Sequence, residues 1–586
     1  MGHKSFLRRL LVLGGFFVIC MAVFATSMFS AQLVHGKEYL AQSVRTNTRS
    51  ESVEAARGII TDRNGKVLVS NRPVYTLDFD ASLVPEDALD DASARLLALL
   101  DAQGIAHTDV LPHSGTVATD IDANLISLLK DGDFAGVQIK KSSVRMYETN
   151  AAAHILGRVT KIPAEQWEEY HEKGYAINDL VGCDGVEAAF EDDLRGTDGR
   201  RLVTRNDSGK IIDARYSVEP QPGDTVVLTI DIDFQQQVED ILAETCAAMV
   251  ESDRLDHPAA AAVVQVGTGD VLALASYPTF SLSSFNEDYA ALREDPRKPM
   301  WNRATQGVYA PGSTVKPLTA VASLESGVTT VSERVFDSGK WAYPGHSASY
   351  TYCWNRDGHG PLDVTGAITN SCNYYFAEMG YRLGMDRLRS YFSAFGLGEH
   401  TGIEIGDAVG VLPSQEAGTN LAPWAAYGQA NQLYTPLQLA GYIATLAGGG
   451  ERYAPHLLKE VRPHNCADPI AVYNEPPVET IPISSENLDA VLTGMHDLVK
   501  TGAVSGCFRD CIVDAAAKTG TAQTGDTKNT NGVFVCFAPY DEPQIAVALV
   551  IEKGQKGAAL ASSAVQILNA YFSSADGSAE AGESIR

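Results

Sequence analysis

The sequence predicts a multidomain protein with one N-terminal transmembrane helix, an α+β region after it and a larger α/β region in the second half. Three observations support this fold class. The chain has 586 residues, which is more than one hydrophobic core ordinarily serves. Residues 10–31 are apolar and uncharged, and strand and helix patterns alternate after them. The segment P-Q-P-G at residues 220–223 breaks any regular element, so it marks a domain boundary.

The apolar N-terminal run is long enough to span a membrane. At ~1.5 Å per residue it covers the ~30 Å hydrocarbon core of a bilayer. Lys4, Arg8 and Arg9 precede it, which predicts a cytoplasmic N-terminus and an exported remainder. A cleaved signal peptide is the alternative, but its apolar region spans only about 7–15 residues and ends at a small-residue cleavage site. The sequence therefore favours an uncleaved helix over residues 10–32, with a cytoplasmic tail at 1–9.

Composition excludes several functions. The net charge of −27 argues against nucleic acid as a partner, because phosphate binding requires clustered lysine and arginine. Nine cysteines are too few to form a disulfide framework in a chain of this length. Histidine, cysteine and acidic residues show no metal-ligand spacing along the sequence, so we expect no metal and no cofactor.

Local patterns place several elements. Asn64-Gly65 joins two short strands within residues 57–70, and this dipeptide favours a type I′ turn. Thr435, Pro436 and Gln438 have the pattern of a capped helix start. The other predicted elements are a polar stalk at 32–56, a helix from the glycine-rich turn near 181–184 to Gly196, a strand at 225–231, a helix at 233–249, a hairpin at 259–276, strands at 533–538 and 545–551, a helix at 557–572 and a disordered tail at 575–586.

The segment Y-A-P-G-S-T-V-K-P-L, residues 309–318, contains a candidate nucleophile. Ser313 and Lys316 lie one helical turn apart, so both side chains would project from the same face of a helix. A lysine in that position can take the proton of the serine hydroxyl. The Pro-Gly pair before them predicts that Ser313 lies at a helix start, where the helix dipole also favours a nucleophile.

Two of the short patterns occur twice in this chain. Ser127 and Lys130 repeat the serine-lysine spacing inside a predicted helix with no break before it, and we interpret this copy as a chance match. A K-T-G at residues 500–502 ends an amphipathic helix, where lysine and glycine are ordinary C-terminal residues. Neither copy requires a catalytic explanation.

Two further motifs lie in contexts that favour chemistry. Ser371 and Asn373, in N-S-C-N-Y-Y, precede a predicted helix; a hydroxyl near the lysine can relay a proton and an amide can orient a substrate, although a polar loop is the simpler interpretation. The segment K-T-G-T at residues 518–521 lies on a predicted strand, where its glycine marks a close backbone approach. Its lysine and threonines can hold a carboxylate, and a strand edge can offer N–H groups to an oxyanion.

The SxxK, SxN and KTG motifs, in this order over about two hundred residues, resemble those of the penicillin-recognising serine acyltransferases. More specifically, the chain resembles a class B penicillin-binding protein over nearly all of its length. R-G-I-I-T-D-R-N-G at 57–65 and G-V-E-A-A-F-E-D-D-L-R-G at 185–196 are similar to signatures of the family's non-catalytic pedestal. The matching segments of the transpeptidase domain are L-T-I-D-I-D-F-Q-Q-Q, N-R-A-T-Q-G-V-Y-A-P-G-S-T-V-K-P, G-H-G-P-L-D-V and Y-G-Q-A-N-Q-L-Y-T-P-L-Q.

The resemblance implies a stalk and a pedestal of the dimerisation type at residues 33–223. It implies a penicillin-binding transpeptidase domain at 224–574, an α/β domain in which an antiparallel sheet is flanked by helices and accompanied by an all-helical subdomain. The class has no glycosyltransferase domain, so the implied partners include a membrane-embedded glycan polymerase and a wall-synthesis complex, in elongation, division or spore-wall synthesis. The implied location is the bacterial cell membrane, crossed once, with the catalytic domain outside the cytoplasm.

The resemblance also implies an activity, that of a peptidoglycan D,D-transpeptidase. The serine would be acylated by the penultimate D-alanine carbonyl of a stem peptide, and an amine of a second strand would then form the crosslink. Penicillins and other β-lactams would acylate the same serine. The implied catalytic residues are Ser313, Lys316, Ser371, Asn373 and Lys518, and the implied substrate-binding residues are Thr519, Gly520 and Thr521, with the N–H groups of Ser313 and Thr521 as the oxyanion hole.

Two other functions share these motifs. A serine β-lactamase must activate water to release the acyl group, and the pedestal signatures and the membrane anchor argue against it. A β-lactam sensor, or a non-catalytic scaffold of a wall-building complex, would be acylated without carrying out transpeptidation.

Cys372 occupies the middle of the second motif, where a serine is commoner in the family. It is either a small apolar filler or one half of a disulfide with Cys353, in the segment leading to this motif. Sporulation-type members of the class resemble this arrangement, and such a disulfide would make activity redox-sensitive. Cys507 and Cys511 are a second possible pair. His359 lies between two glycines and is expected to be a turn residue.

Overall fold

The computed structural model describes residues 3–39, 48–108, 111–132, 134–176, 179–205, 211–415, 420–465, 467–523, 529–554 and 556–583. The chain divides into two compact units. The first unit comprises Met1–Arg57 and Arg195–Gly223, and the second comprises Gly58–Leu194 and Asp224–Arg586.

The described α-helices, in chain order, are α1 His3–Phe29, α2 Leu89–Ala102, α3 Ala123–Asp131, α4 Ala153–Leu156, α5 Trp167–Glu172, α6 Gly185–Ala189, α7 Glu191–Leu194, α8 Ile232–Asp253, α9 Phe285–Glu294, α10 Arg303–Gln306, α11 Lys316–Glu325, α12 Val364–Thr369, α13 Asn373–Leu383, α14 Met385–Ala394, α15 Ala422–Ala425, α16 Pro436–Ala447, α17 Ser485–Lys500 and α18 Ala561–Glu583. Short 3₁₀ segments lie at Ala81–Leu83, Glu86–Ala88, Ala164–Gln166, Gly312–Val315, Cys507–Asp510 and Gly557–Leu560, and a π-helical turn lies at Ser30–Val34.

The described strands are β1 Thr48–Val53, β2 Ile60–Thr61, β3 Val67–Phe79, β4 Gly115–Ala118, β5 Val137–Tyr147, β6 Val159–Lys161, β7 Leu180–Gly182, β8 Gly199–Arg205, β9 Ile211–Val218, β10 Thr225–Leu228, β11 Ala259–Gln265, β12 Val271–Tyr277, β13 Val335–Asp337, β14 Lys340–Tyr343, β15 His346–Tyr352, β16 Gly360–Leu362, β17 Glu451–Arg452, β18 Leu458–Arg462, β19 Ala471–Val472, β20 Glu479–Thr480, β21 Ala516–Ala522, β22 Asn531–Ala538 and β23 Ile545–Ile551.

The first unit contains the apolar helix and a three-stranded antiparallel sheet. The helical segment Phe6–Val34 spans 29 residues with a mean hydropathy of 2.4, which is long and apolar enough to cross a membrane, as the sequence predicts. The sheet has the order β1-β8-β9. Strand β1 lies within the predicted stalk and was not itself predicted, because backbone pairing with β8 orders a segment that has no apolar face of its own. Residues 40–47 of the predicted stalk lie outside the described residues.

In the second unit, a seven-stranded sheet joins the two sides of the predicted boundary at residues 220–223. Strand β10 pairs with β18 on one side and in parallel with β2 on the other, and β3 continues the sheet to β4 and β5. The predicted turn at Asn64-Gly65 is present, with Gly65 at a φ of +83°. Asn64 does not have positive φ, so type I′ is wrong. The Asp62 carboxylate explains the difference, because it accepts the N–H groups of Asn64 and Lys66 at 2.9 and 2.8 Å.

A buried ion pair joins the pedestal signature at residues 185–196 to strand β5. Arg145 of β5 donates to Glu187 of α6 at 2.6 Å, and both side chains are buried, with 4% and 0% exposure. Arg145 also donates to the carbonyl of Gly58 at 2.6 Å. The predicted helix to Gly196 begins as expected at Gly185, but it is interrupted at Phe190, between α6 and α7.

A five-stranded antiparallel sheet forms the centre of the second unit, in the order β12-β11-β23-β22-β21. Its strands are continuous apolar runs, such as I-A-V-A-L-V-I in β23, because helices cover both faces. Helices α8 and α18 cover one face, and α16 covers the other. Helix α16 begins with the predicted capping box, in which Thr435 and Gln438 satisfy each other's backbone N–H groups.

Helices α11 to α14 and α17 form a helical layer beside this sheet. Helix α11 is buried along nearly its whole length, polar residues included, and it packs against α13, α14 and α17. The C-terminal helix α18 continues to Glu583, across the start of the tail predicted from residue 575, and the disorder of that tail stays a prediction. Its alanines and glutamates favour a helix, in spite of two glycines. Residues 584–586 lie outside the described part of the chain.

Candidate active site

Ser313 lies in the short 3₁₀ turn Gly312–Val315, which leads directly into α11. Its side chain is half-buried, whereas Lys316, the first residue of α11, is fully buried. Pro317 follows in the first turn of the helix, where its missing N–H costs nothing. The predicted helix start at Ser313 is confirmed.

The amine of Lys316 is held by the second motif. It donates to the Ser371 carbonyl at 2.6 Å and to Asn373 Oδ1 at 2.7 Å, and it lies 3.2 Å from Ser371 Oγ. Burial lowers the pKa of Lys316 to about 7, because a desolvated ammonium is costly. Among the described residues, Ser313 Oγ makes no hydrogen bond with this amine, so the expected serine-lysine pair is near in sequence but not joined in this conformation.

Ser371 occupies a left-handed backbone conformation, with a φ of +49°, immediately before α13. This region is sparsely populated by residues other than glycine, asparagine and aspartate, and such residues cluster at functional sites. Cys372 then caps α13 by accepting the N–H of Tyr375, and Asn373 is the first residue of the helix. The turn therefore presents the Ser371 hydroxyl and the Asn373 amide to the same amine.

The third motif reaches the same hydroxyl from the sheet. Lys518 lies on β21, the edge strand, and its buried amine donates to Ser371 Oγ at 2.9 Å and to the Thr519 carbonyl at 3.1 Å. Burial and the nearby charge of Lys316 hold the pKa of Lys518 below its ordinary value. Ser371 Oγ is thus the atom at which all three motifs meet. Thr519 and Thr521 are half-buried on the same strand.

Close backbone contacts fix the Ser313 turn against β21. A Cβ on Gly520 would lie 2.6 Å from the Pro311 carbonyl oxygen, and one on Gly312 would lie 2.8 Å from that of Thr521. A Cβ on Gly428 would lie 1.9 Å from the Gly312 carbonyl oxygen. None of these distances leaves room for a side chain, so the main chain itself forms this wall, which we call the glycine wall. The sequence motifs K-T-G and Y-G-Q contain two of its members.

Gln429 was missed by the sequence analysis as a site residue. Its side-chain amide donates to the Thr521 carbonyl at 2.9 Å, which ties the loop after α15 to the edge strand. Gln429 lies in the segment Y-G-Q-A-N-Q, whose resemblance to the transpeptidase family could have indicated a role in the site.

The second copies of the motifs lie elsewhere and are explained by local structure. Ser127 and Lys130 are exposed on α3, and the Ser127 hydroxyl donates to the Ala123 carbonyl at 3.0 Å. Lys500 ends α17 and forms an ion pair of 2.7 Å with Asp514. Both contacts agree with the structural interpretation of these copies.

Four side chains beside the second motif could hold a metal ion. The ligand atoms of Asp337, Cys353, His359 and Cys372 lie within 4.8 Å of one another. His359 Nδ1 lies 2.7 Å from Asp337 Oδ2, and Cys372 Sγ lies 3.2 Å from the same oxygen. Sulfur, imidazole and carboxylate ligands in this number suit tetrahedral Zn²⁺. Spacing along the sequence did not predict this cluster, whereas the absence of a metal and the place of His359 in a turn stay predictions.

Two members of this cluster, Cys353 and Cys372, are the cysteines for which the sequence suggested a disulfide. Both thiols are free, and their sulfur atoms lie 3.9 Å apart, against ~2.05 Å in a disulfide. Cys507 and Cys511 are also free thiols. The spacing along the sequence concealed the cluster because its four members come from separate segments, and Asp337 was not singled out at all.

Comparison with known proteins agrees with this arrangement. Residues 259–572 match the penicillin binding protein transpeptidase domain, and residues 52–228 match the penicillin-binding protein dimerisation domain. The peptidoglycan D,D-transpeptidase MrdA of Escherichia coli (strain K12) is 31% identical over 613 residues, covering 96% of this chain and 94% of that protein. Stage V sporulation protein D of Bacillus subtilis (strain 168) is 28% identical over 571 residues, covering 93% and 81%.

Solved structures give the same result. A chain of a peptidoglycan synthase complex, from a study of how that complex coordinates polymerization and crosslinking, superposes with a TM-score of 0.72 at 28% identity, covering 96% of this chain and 98% of the other. Pseudomonas aeruginosa PBP2, in complex with WCK 5153, superposes with a TM-score of 0.68 at 28% identity, covering 89% and 96%. With the three motifs converging on one hydroxyl and both domain families matched, this chain belongs to the penicillin-binding proteins that combine a dimerisation domain with a transpeptidase domain.

Proposed function

We propose that this protein is a peptidoglycan D,D-transpeptidase that crosslinks stem peptides through an acyl-Ser313 intermediate. The observation that carries the proposal is the convergence of Lys316 and Lys518 on Ser371 Oγ, at 3.2 and 2.9 Å, beside the turn that holds Ser313. A nucleophile, a base of lowered pKa and a cationic carboxylate site are what acyl transfer from a peptide terminus requires.

In the first step, Ser313 Oγ attacks the carbonyl of the penultimate D-alanine. Lys316 in its neutral form accepts the hydroxyl proton, the new ester C–O bond forms and the peptide C–N bond breaks. The departing terminal D-alanine takes a proton through Ser371, whose hydroxyl lies between the two lysines. The low pKa of Lys316 supports this role, because a lysine at its ordinary pKa is almost entirely protonated at neutral pH.

Two carbonyl contacts prepare Lys316 for this role. Its N–H groups are directed to the Ser371 carbonyl and to Asn373 Oδ1 at 2.6 and 2.7 Å, and a neutral amine has only two hydrogens. The lone pair is then the remaining valence of the nitrogen. The third proton is the one directed at Ser371 Oγ, 3.2 Å away, so its loss leaves a base whose other two N–H groups are already bonded.

The edge strand β21 would bind the substrate terminus. Lys518, Thr519 and Thr521 are our proposed ligands for the terminal carboxylate, with Gly520 allowing close approach of the strand. The N–H groups of Ser313 and Thr521 would bind the oxyanion, which is consistent with the backbone contact between the Ser313 turn and β21. In the second step an amine of another strand attacks the ester, and Ser313 regains its proton.

The relatives also bear on partners and location. One similar structure belongs to a peptidoglycan synthase complex, and we propose that this chain likewise works with a membrane-embedded glycan polymerase. We propose that residues 1–9 remain in the cytoplasm, that residues 33–223 form the non-catalytic stalk and pedestal, and that residues 224–574 act outside the membrane. Lys4, Arg8 and Arg9 before the apolar helix support this orientation.

The test is crosslinking by the full-length chain in membranes. Lipid-linked disaccharide-pentapeptide and a glycan polymerase are added, and crosslinked dimers are counted by mass spectrometry after glycan digestion. We expect dimers with the wild type and none with Ser313→Ala or after treatment with penicillin. Acylation by penicillin without any dimers would instead favour a sensor or scaffold.

A second measurement separates the transpeptidase from a β-lactamase. The wild-type chain should be acylated by nitrocefin once and then hydrolyse it only very slowly, because the proposed site activates an amine rather than water. Sustained rapid turnover of nitrocefin that is lost in Ser313→Ala would contradict the proposal.

A further inference from the structure

Three exposed aromatic side chains follow one another along β15 and the residues just after it. Tyr350, Tyr352 and Trp354 have exposures of 42%, 41% and 64%. They occupy alternate positions, and we call them the aromatic ladder. Tyr350 and Tyr352 are in edge contact, with ring centroids 5.3 Å apart.

The ladder is not part of the core, because the intervening residues fill that role. Thr351 lies within 2.8 Å of the Tyr427 hydroxyl, and Cys353 is buried beside the second motif. Strand side chains alternate between two faces, so inward Thr351 and Cys353 leave the three rings on the outward face. A contiguous patch of large exposed rings on a soluble face indicates a binding surface.

Two cations lie against these rings. Lys340 Nζ is 3.9 Å from the ring centroid of Tyr350, and the Arg356 guanidinium carbon is 4.1 Å from that of Tyr352. In the described part of the chain, neither cation forms an ion pair with a carboxylate. A pair of uncompensated cations is notable in a chain with a net charge of −27, and it makes the ladder complementary to an anionic ligand.

The ladder is continuous with the active site. The Tyr352 carbonyl accepts the side-chain amide of Asn373 at 3.4 Å, and the Trp354 indole donates to the Asn370 carbonyl at 2.9 Å. Strand β15 also packs on α13, which begins at Asn373. The ladder therefore adjoins Ser371 and Asn373 of the second motif, whereas β21 carries the third motif.

We propose that the aromatic ladder, with Lys340 and Arg356, binds the second peptidoglycan strand, the one that supplies the attacking amine. This inference rests on the proposed function. Sugar rings present C–H faces that stack on aromatic rings, and stem peptides carry carboxylates that Lys340 and Arg356 can pair with. The first strand has its terminal carboxylate at β21, which leaves the ladder side for the second.

The chemical step that the ladder serves is the transfer of the acyl group. The amine nitrogen of the bound strand attacks the carbonyl carbon of the Ser313 ester, and a new amide C–N bond forms. The ester C–O bond breaks, and the proton released by the nitrogen passes to Ser313 Oγ. The ladder takes no part in these bonds, so it raises the occupancy of the amine without changing the acylation of Ser313.

The test separates the two halves of the reaction in the full-length chain. The variants are Tyr350→Ser with Tyr352→Ser, and Lys340→Gln with Arg356→Gln; the matched control is Tyr216→Ser, an exposed tyrosine on β9 of the other unit. Three rates are measured with a small depsipeptide donor: acylation by fluorescent penicillin, transfer to free D-amino acid, and transfer to a muropeptide that carries a free amine.

We expect transfer to the muropeptide to fall about tenfold or more in kcat/KM, chiefly through KM, in both ladder variants. Penicillin acylation and transfer to free D-amino acid should stay within about twofold of wild type, as should every rate of the control. Equal losses with both acceptors, a loss of acylation, or no loss at all would overturn the proposal.

Direct binding keeps the inference testable even without crosslinking activity. In penicillin-blocked full-length protein, Ser313 is already acylated, so only the second strand has a free site. Saturation-transfer NMR should show contact of the muropeptide sugars with wild type and with Tyr216→Ser, and none with the ladder variants. Equal signals in wild type and ladder variants would overturn the ladder proposal, whereas a wild type that binds but never crosslinks would count against the proposed function alone.

Discussion

Ser313 with Lys316 and Ser127 with Lys130 are the same four-residue pattern in two different surroundings. Ser127 and Lys130 are exposed on α3, and the serine hydroxyl is bonded to the backbone of its own helix. Lys316 is fully buried, and a serine carbonyl and an asparagine amide from another segment hold its amine. The pattern supplies only the spacing, and burial together with the second motif supplies the chemistry.

The same contrast applies to the two K-T-G segments. Lys500 ends a helix and pairs with a carboxylate at the surface, so its charge is compensated by Asp514. Lys518 is buried on an edge strand and faces Ser371 and the charge of Lys316. Lys500 already has a carboxylate partner, whereas the partners of Lys518 among the described residues are a hydroxyl and a carbonyl, so Lys518 has no carboxylate partner there and can take one from a substrate.

The largest difference between the two patterns should appear in penicillin labelling when each serine hydroxyl is removed in turn. Ser313→Ala should abolish labelling by a fluorescent penicillin, because the other hydroxyl of this turn, that of Thr314, is buried and donates to the Pro311 carbonyl at 2.8 Å. Ser127→Ala should label as wild type does, since its hydroxyl serves only its helix. Labelling is read on denaturing gels. Residual labelling of Ser313→Ala, or loss of labelling in Ser127→Ala, would contradict the proposal that Ser313 is the acylated residue.

Exchanging each lysine for arginine tests the base. Lys316→Arg should slow penicillin acylation by roughly 10²–10⁴-fold, the range typical of general-base catalysis, because an arginine stays protonated. Lys130→Arg should have no effect. Stopped-flow fluorescence with a penicillin measures the rate, and thermal unfolding checks that each variant is folded. A Lys316→Arg rate close to that of wild type would remove Lys316 from the mechanism.

The acylation rate should depend on pH, because the burial of Lys316 lowers its pKa. With the pKa of Lys316 lowered to about 7, the neutral base is the minor form below that pH and the major form above it. The acylation rate should therefore rise as pH increases, by about tenfold between pH 6 and pH 8, and then level off. Rates are measured with penicillin at several pH values. A rate that falls with rising pH, or keeps rising steeply above pH 9, would contradict a buried lysine base.

The smallest expected effect concerns the thiols next to this base. Oxidation of Cys353 and Cys372 must draw together sulfur atoms that are 3.9 Å apart, and Cys372 adjoins Ser371 and Asn373. We expect diamide to slow acylation a few-fold and dithiothreitol to restore it. Cys353→Ser should be insensitive to both reagents, and the variant Cys507→Ser should behave as wild type. Equal rates with and without reductant in the wild type would deprive the pair of a functional role.

Several elements of the fold could be predicted because short local sequence patterns determine them. The apolar helix, the capping box at Thr435 and the strand at β21 depend on sequence within one turn or strand, and the structure confirms them. Strand β1 could not be predicted, because its order comes from pairing with β8 rather than from its own polar residues. The turn at Asn64 was misjudged for a related reason, since a carboxylate two residues earlier determines its geometry.

In the candidate active site too, some residues could be predicted from local sequence and others could not. The motifs named the residues around Ser371, since each lies in a short recognisable segment. They did not reveal Asp337 and His359 beside Cys353 and Cys372, because these residues, spread over positions 337 to 372 without a regular spacing, meet only in the folded chain. Among the described residues, Ser313 and Lys316 share no hydrogen bond, and their spacing could not have predicted this. Spacing places two side chains on one face of a helix but does not fix their rotamers.

The glycine wall behind Ser313 also limits how this cleft can evolve. Where Gly312, Gly428 and Gly520 meet carbonyl oxygens, any larger residue would displace the turn that carries Ser313. A change of side-chain size that leaves Ser313 in place therefore has to occur at positions other than these three glycines.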